Sequence, residues 1–141
     1  MATSKATTVW NGNLPQGKGQ ISGATGAFSL PYSLKSRLGE EPKSNPDELL
    51  GAAHSSCFSM MLAALCTGAG LVPTEIKTTA SVTFGPVEGG FAISTIALEC
   101  EASIPGIEEA AFQELAENAK LNCPVSKALT GVTITLSATL V

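Results

Sequence analysis

The residues able to do chemistry are few and unevenly placed. Among 141 residues there are four cysteines and a single histidine. His54 and Cys57 stand three residues apart in GAAHSSCFSM, Gly51–Met60, a stretch otherwise small and uncharged. On a helix that spacing puts both side chains on one face. The glycine and serines nearby leave room for something to approach the thiol. Cys123 precedes Pro124, a residue suited to the first position of a helix, so its thiol lies at or near a helix N-terminus. Free backbone N–H groups and the helix dipole favour a thiolate there. Cys66 follows Cys57 by nine residues. On one helix that is about 900° of rotation and roughly 13 Å of rise, so the two cannot bond to each other within one chain. Cys66, and Cys100 at the end of an alternating segment, read as small packing hydrophobes.

Each of these residues also has a plain structural reading. A buried cysteine is usually inert, and a lone histidine in an apolar stretch is usually a satisfied core residue. A zinc site built from His54, Cys57, Cys100 and Cys123 would match no familiar ligand spacing. Asp47 and Glu48 are explained as acids in the first turn of a helix. Arg37, in the polar stretch RLGEEPKS, is by default a solvated charge.

The elements that must position these residues can be read from punctuation and periodicity. Residues 6–35 carry strand signals broken by Gly and Pro and predict an antiparallel β-meander. Asn45 is a good N-cap, Pro46 suits the first helical position and Glu48 sits at N3, so a helix starts at Pro46. It runs to about residue 67, stops at Gly68 or Gly70, and is apolar nearly all round, which predicts burial on most sides. Residues of about 75–103 alternate as a β-hairpin with PVEGG as its turn. An amphipathic helix follows over about 107–121, a new helix begins at Pro124, and a strand over about 132–140 closes the chain. The sum is one α+β domain over residues 1–141, with antiparallel sheets packed around a long central buried helix.

Composition bounds the function. Charged residues make up 14% and hydrophobic residues 44%, with a mean hydropathy of +0.25. A soluble monomer typically carries about 25% charged residues, so part of this surface is expected to be hidden in an oligomer. The net charge of −4 and the lack of any Lys/Arg cluster argue against nucleic acid as a partner. The N-terminal stretch shows no continuous apolar segment of a secretory signal. Residues 49–66 are apolar, but His54 and three serines interrupt them and acids precede them, which fits a core helix better than a membrane span. A soluble, cytoplasmic protein is expected, in which a disulfide would be transient or catalytic.

The segments NPDELLGAAHSSCFSM and CPVS, the latter at 123–126, resemble those of the OsmC/Ohr family, the osmotically inducible protein C and organic hydroperoxide resistance proteins. The likeness extends over nearly the whole chain, through Trp10–Gly19, GFAIS at 90–94 and Pro105–Ile107. The histidine of GAAH makes the OsmC subgroup the nearer match. The resemblance implies an intertwined homodimer with two active sites at the subunit interface and no metal, flavin or haem cofactor. It implies a cysteine-based thiol peroxidase, an antioxidant enzyme that reduces organic hydroperoxides to alcohol and water, and hydrogen peroxide less readily. By motif match Cys57 would be the peroxidatic cysteine, Cys123 the resolving one and Arg37 the catalytic arginine. The family's acid is a glutamate directly after Asn-Pro. Here Asp47 stands there, followed by Glu48, so either could serve.

The chemistry these assignments imply is coherent. At a reference pKa near 8.5 only about 3% of a thiol is ionised at pH 7, and a neighbouring guanidinium raises that fraction. Cys57 would attack the peroxide and become a sulfenic acid, and Cys123 would condense with it to a disulfide. A thiol reductant would reset the enzyme, a lipoylated protein being one candidate by analogy with Ohr relatives. Phe58, Met60 and Met61 beside Cys57 suit a greasy hydroperoxide tail. Asp47 lies ten residues before Cys57, about 15 Å along an unbroken helix, which is too far for a direct role in the same chain. Either the helix breaks near Gly51, or Arg37 and its acid reach the thiol from the other subunit, and the second is expected. Two other classes remain open: a Cys–His hydrolase or acyltransferase using Cys57 and His54, and a non-catalytic dimeric binding protein.

Overall fold

A computed structural model describes residues 1–141. Three short strands open the chain: β1 (Ala6–Asn11), β2 (Lys18–Gly23) and β3 (Ser29–Tyr32). They form an antiparallel sheet in the order β1-β2-β3. Gly19 allows the register: a Cβ there would stand 2.1 Å from the Tyr32 ring opposite it.

Where the sequence predicts the end of the β-meander, at residue 35, and the start of a polar loop at Arg37, a short helix forms, α1 (Leu34–Arg37). Its cause is local. Ser33 accepts from the Ser36 amide and the Ser36 hydroxyl accepts from the Ser33 amide, a capping box with serine in place of the usual acid. The chain then returns over α1. Ser36 Oγ donates to the Ser44 carbonyl and Asn45 Nδ2 donates to the Ser36 carbonyl. Arg37 is therefore the last residue of a braced helix turn and not a freely solvated charge.

The long helix α2 runs without a break from Pro46 to Gly68. Asn45 Oδ1 accepts from the Glu48 amide, as its N-cap role requires. Within one chain α2 buries a single stripe, Gly51, His54, Phe58, Leu62 and Cys66, while Ala52, Ala53, Ser56, Met60 and Ala64 on the opposite face are exposed. The expected burial on most sides is thus not met inside one chain, because a lone helix against a sheet can cover only one of its faces. By length and hydropathy α2 could also cross a membrane. Its spacing of buried residues is that of a helix laid on a core.

Beyond α2 come β4 (Glu75–Val87) and β5 (Gly90–Ser103), then α3 (Glu109–Asn122), α4 (Pro124–Ala128) and β6 (Thr133–Leu140). β4 and β5 pair antiparallel through a turn at Gly89 and Gly90, both at positive φ where glycine is favoured. β6 pairs with β5 in parallel, so the second sheet, β4-β5-β6, is mixed and not wholly antiparallel as expected. The reason is connectivity: 29 residues carrying α3 and α4 separate the strands, and such a crossover delivers the next strand in the same direction. The architecture is α+β.

The core holds Phe58, Leu62 and Cys66 of α2, the alternate residues Ile96, Leu98, Cys100 and Ala102 of β5, and Phe112 and Ala119 of α3. Gly51 lets α2 lie close to the sheet, since a Cβ there would sit 3.1 Å from the Ala80 carbonyl oxygen. By spatial grouping the chain falls into two units, Met1–Leu49 and Leu50–Val141.

Candidate active site

In the second unit, Cys57 of α2 and Cys123 at the junction of α3 and α4 come together. The two thiols are hydrogen-bonded to each other and unbridged. Cys57 is partly exposed and Cys123 is buried. Cys123 is the C-cap of α3, donating its amide to the Ala119 carbonyl at 2.9 Å, and also the residue before Pro124 at the start of α4. Pro124 forces this junction, because it cannot continue α3 and it suits the first position of α4. The Val125 amide faces both sulfurs and the Ser126 amide faces Cys123. These donors act on the anion, since the neutral thiol closes no side-chain cap.

The two thiols are unequal. Burial pushes the Cys57 thiol up, and the neighbouring Cys123 raises it further against the opposing Val125 amide. Burial also opposes ionisation of Cys123. The hydrogen bond from Cys57, the Ser126 amide and hydroxyl and the Val125 amide outweigh it and hold Cys123 below its ordinary value. Inside the dithiol the first negative charge therefore rests on Cys123, and the two sulfurs titrate as a pair.

His54 lies on the buried stripe of α2 and is fully enclosed. Its Nε2 is 2.7 Å from Ser126 Oγ, joining α2 to α4 across 72 residues of sequence. Burial lowers its pKa, so the ring is neutral. Cys66 and Cys100 are both buried, and burial raises both thiols, as expected of packing residues. No three His, Cys, Asp or Glu side chains converge into a group able to hold a metal ion.

In the first unit Arg37 and Asp47 form a two-pronged ion pair. Arg37 Nε donates to Asp47 Oδ2 and Nη2 to Asp47 Oδ1, each at 3.0 Å. The Asp47 side chain is 10% exposed and that of Arg37 32%. Planar fork meets planar carboxylate, the geometry that fixes a guanidinium in orientation as well as in place. Of the two acids open in the sequence, Asp47 makes this pair, and Glu48 is exposed.

The family model described as OsmC-like protein matches residues 39–137. The chain belongs to the OsmC family. Among its relatives, a protein named peroxiredoxin OsmC from Escherichia coli is 43% identical over 126 residues, covering 89% of this chain and 88% of that one. An organic hydroperoxide resistance protein from Xanthomonas axonopodis pv. citri is 34% identical over 114 residues, covering 78% and 77%. The crystal structure of an organic hydroperoxide resistance protein from Elizabethkingia anophelis superposes with a TM-score of 0.79 at 28% identity, over 100% of this chain and 98% of that one.

Two aspects of this OsmC-family site were hidden from sequence reasoning. Ser126 stands out in the sequence only as part of the CPVS motif, and its partnership with His54 carries no local signal. Phe58 and Met61, expected beside a substrate tail, instead serve the core: Phe58 is fully buried and Met61 packs against the core cluster. Of the three apolar neighbours, Met60 alone is exposed.

Proposed function

We propose that this chain is a cysteine-based thiol peroxidase that detoxifies organic hydroperoxides, with hydrogen peroxide a poorer substrate. The observation that carries the reading is the hydrogen-bonded Cys57–Cys123 pair, a dithiol joined at the start of α4 and ready to close as a disulfide. The names of its relatives, peroxiredoxin and organic hydroperoxide resistance protein, support the same chemistry.

Cys57, the more exposed thiol, is the peroxidatic residue, and Cys123 resolves it. Cys123 is the more readily ionised thiol of the resting pair, so a cation is needed to draw charge to Cys57. Arg37 supplies it, held in orientation by Asp47. With the proton moved to Cys123, the Cys57 thiolate attacks the terminal peroxide oxygen and the O–O bond breaks. The departing alkoxide takes the Cys123 proton and leaves as alcohol. Cys57 is then a sulfenic acid and Cys123 a thiolate. Sulfur attacks sulfur, the S–O bond breaks, hydroxide leaves, and the disulfide is formed. A thiol reductant, a lipoylated protein among the candidates, restores the dithiol.

The active unit in this reading is an intertwined homodimer, and Arg37 and Asp47 of one subunit serve Cys57 of the other. Two features support it. The helix α2 has no break near Gly51 that would fold Asp47 back towards Cys57. The face of α2 bearing Ala53, Met60 and Ala64 is apolar and exposed in the single chain. The site of action is the cytoplasm.

A Cys57→Ser variant tests the function. It should consume no organic hydroperoxide with dithiothreitol as reductant, whereas wild type should consume it faster than hydrogen peroxide. Wild type that consumes neither removes the reading. A Cys–His hydrolase is less well supported, because the His54 ring is hydrogen-bonded to Ser126.

A further inference from the structure

His54 and Ser126 have no part in the scheme above, yet they reach its centre. His54 is fully buried, its Nε2 is 2.7 Å from Ser126 Oγ, and its Nδ1 has no hydrogen-bond partner within the chain. Ser126 occupies the first turn of α4, and both its amide and its hydroxyl act on Cys123. A continuous row results: His54, Ser126, Cys123, Cys57.

A serine hydroxyl carries one proton. If that proton points at the Cys123 sulfur, the lone pairs of Oγ must take a donor from the other side, and His54 Nε2 stands there. The neutral ring then carries its proton on Nε2 and leaves Nδ1 as a bare acceptor. The other tautomer would bury an N–H with no acceptor at Nδ1 and turn the Ser126 proton away from Cys123. Buried unpaired N–H groups are rarer than under-satisfied acceptors. The row is therefore polarised in one direction, from imidazole to hydroxyl to sulfur.

We propose that His54 is a positioning residue for the resolving half of the reaction, acting through the Ser126 hydroxyl to hold Cys123 as the thiolate that attacks the Cys57 sulfenic acid. The inference rests on the peroxidase reading for its role in turnover. No further redox reactant is required: two electrons pass from the Cys123 sulfur into the new S–S bond, and the S–O bond breaks to release hydroxide, which becomes water by taking a proton from the buffered medium. Since dithiothreitol can reduce a sulfenic acid directly, steady-state turnover with it should survive loss of His54 in large part, and the resolving step must be read by itself.

The titratable groups touching Cys123 are Cys57 and, through Ser126, His54, both on α2, while Lys120 and Lys127 line the shallow pocket of about 260 Å³ beside Ser126. Two measurements decide the matter. In the first, thiolate absorbance is followed against pH in the reduced protein without peroxide. Ser126→Ala and His54→Leu should raise the first midpoint by about one unit, a tenfold change in ionisation. Ser126→Thr keeps the hydroxyl and His54→Gln keeps a donor in place of Nε2, so both should stay near wild type. In the second, one equivalent of cumene hydroperoxide is added, and sulfenic acid and disulfide are quantified by mass spectrometry after trapping. Disulfide formation should slow about tenfold more than sulfenic acid formation in Ser126→Ala, and sulfinic acid should accumulate at excess peroxide.

A first midpoint in Ser126→Ala equal to wild type overturns the proposal, as does an equal slowing of both steps. Ser126 is only partly buried, so its alanine variant decides the question if His54→Leu does not fold. Wild type that consumes no hydroperoxide overturns the peroxidase reading, and the peroxide-free titration still decides whether His54 and Ser126 hold Cys123 as a thiolate.

Discussion

Replacing Asp47 by asparagine tests the guanidinium clamp, because the sequence offers two adjacent acids and the structure pairs one of them. Arg37 gives Asp47 two hydrogen bonds of 3.0 Å, through Nε and Nη2. Asparagine keeps one acceptor and turns the other into an NH₂ group that repels the guanidinium donors. One charged hydrogen bond and the attraction between opposite charges are lost together. A hydrogen bond to a charged group contributes about 1.5–3 kcal/mol. Arg37 is about one-third exposed, so solvent screening favours the lower end. About 1.5–2 kcal/mol of lost orientation corresponds to roughly a 10- to 30-fold drop in kcat/KM. Glu48→Gln touches an exposed side chain whose main role is to suit the helix N-terminus, worth about 0.3–1 kcal/mol of stability, and should leave kcat/KM within about twofold. Initial rates of cumene hydroperoxide consumption with excess dithiothreitol give both numbers. Unimpaired Asp47→Asn, or a Glu48→Gln loss as large as that of Asp47→Asn, would refute the reasoning.

The remaining expectations are more direct. Limited peroxide should link Cys57 to Cys123 within one chain, seen as one peptide pair by mass spectrometry, and recovery of a Cys57–Cys100 link would exclude Cys123 as the resolving partner. Cys123→Ser should still form the Cys57 sulfenic acid but no disulfide. Leu62→Ala, at a fully buried position of the α2 stripe, should cost about 2–5 kcal/mol in urea unfolding, and a cost under about 1 kcal/mol would mean that this face of α2 is not packed on the core. His54 is held below its ordinary 6.5 by burial, so the unfolded chain takes up a proton that the folded chain resists. The stability this contributes is full above about pH 6.5 and is lost as pH falls towards the folded-state value. Urea midpoints between pH 7.5 and 5 should therefore drop, less steeply in His54→Gln, and identical slopes for the two proteins would disprove it.

How much could be read beforehand depended on how local the cause was. The start of α2 is written in Asn45, Pro46 and Glu48, and its N-cap bond, from the Glu48 amide to Asn45 Oδ1, forms as those residues suggest. The break between α3 and α4 is written in Cys123–Pro124, and the β4–β5 turn in Gly89 and Gly90. The misses are non-local. The parallel placing of β6 depends on where the crossover lands, which an alternating pattern does not encode. The one-sided burial of α2 depends on how many surfaces surround it, and hydropathy reports only that the helix tolerates burial. Helix α1 was missed because its capping box uses Ser36 where a glutamate or glutamine is usual. The pairing of His54 with Ser126 spans 72 residues and has no periodic signature at all.

These misses bear on the chemistry. The sequence directs attention to Cys57 as the thiol to be activated, with helix-start amides as a bonus for Cys123. The structure reverses the balance in the resting pair: amides, hydroxyl and partner thiol all favour charge on Cys123. A peroxidatic thiol that kept its charge without substrate would be exposed to any oxidant. In the proposed mechanism, charge that favours the buried sulfur moves to Cys57 only under the influence of a guanidinium, which would couple attack to an assembled site. In the same proposal the second step would benefit too, because Cys123 would regain its charge as its proton leaves with the alcohol. One hydrogen-bonded row can then favour both half-reactions. It does so because the two sulfurs compete for a single proton, so that each step leaves the other sulfur ready.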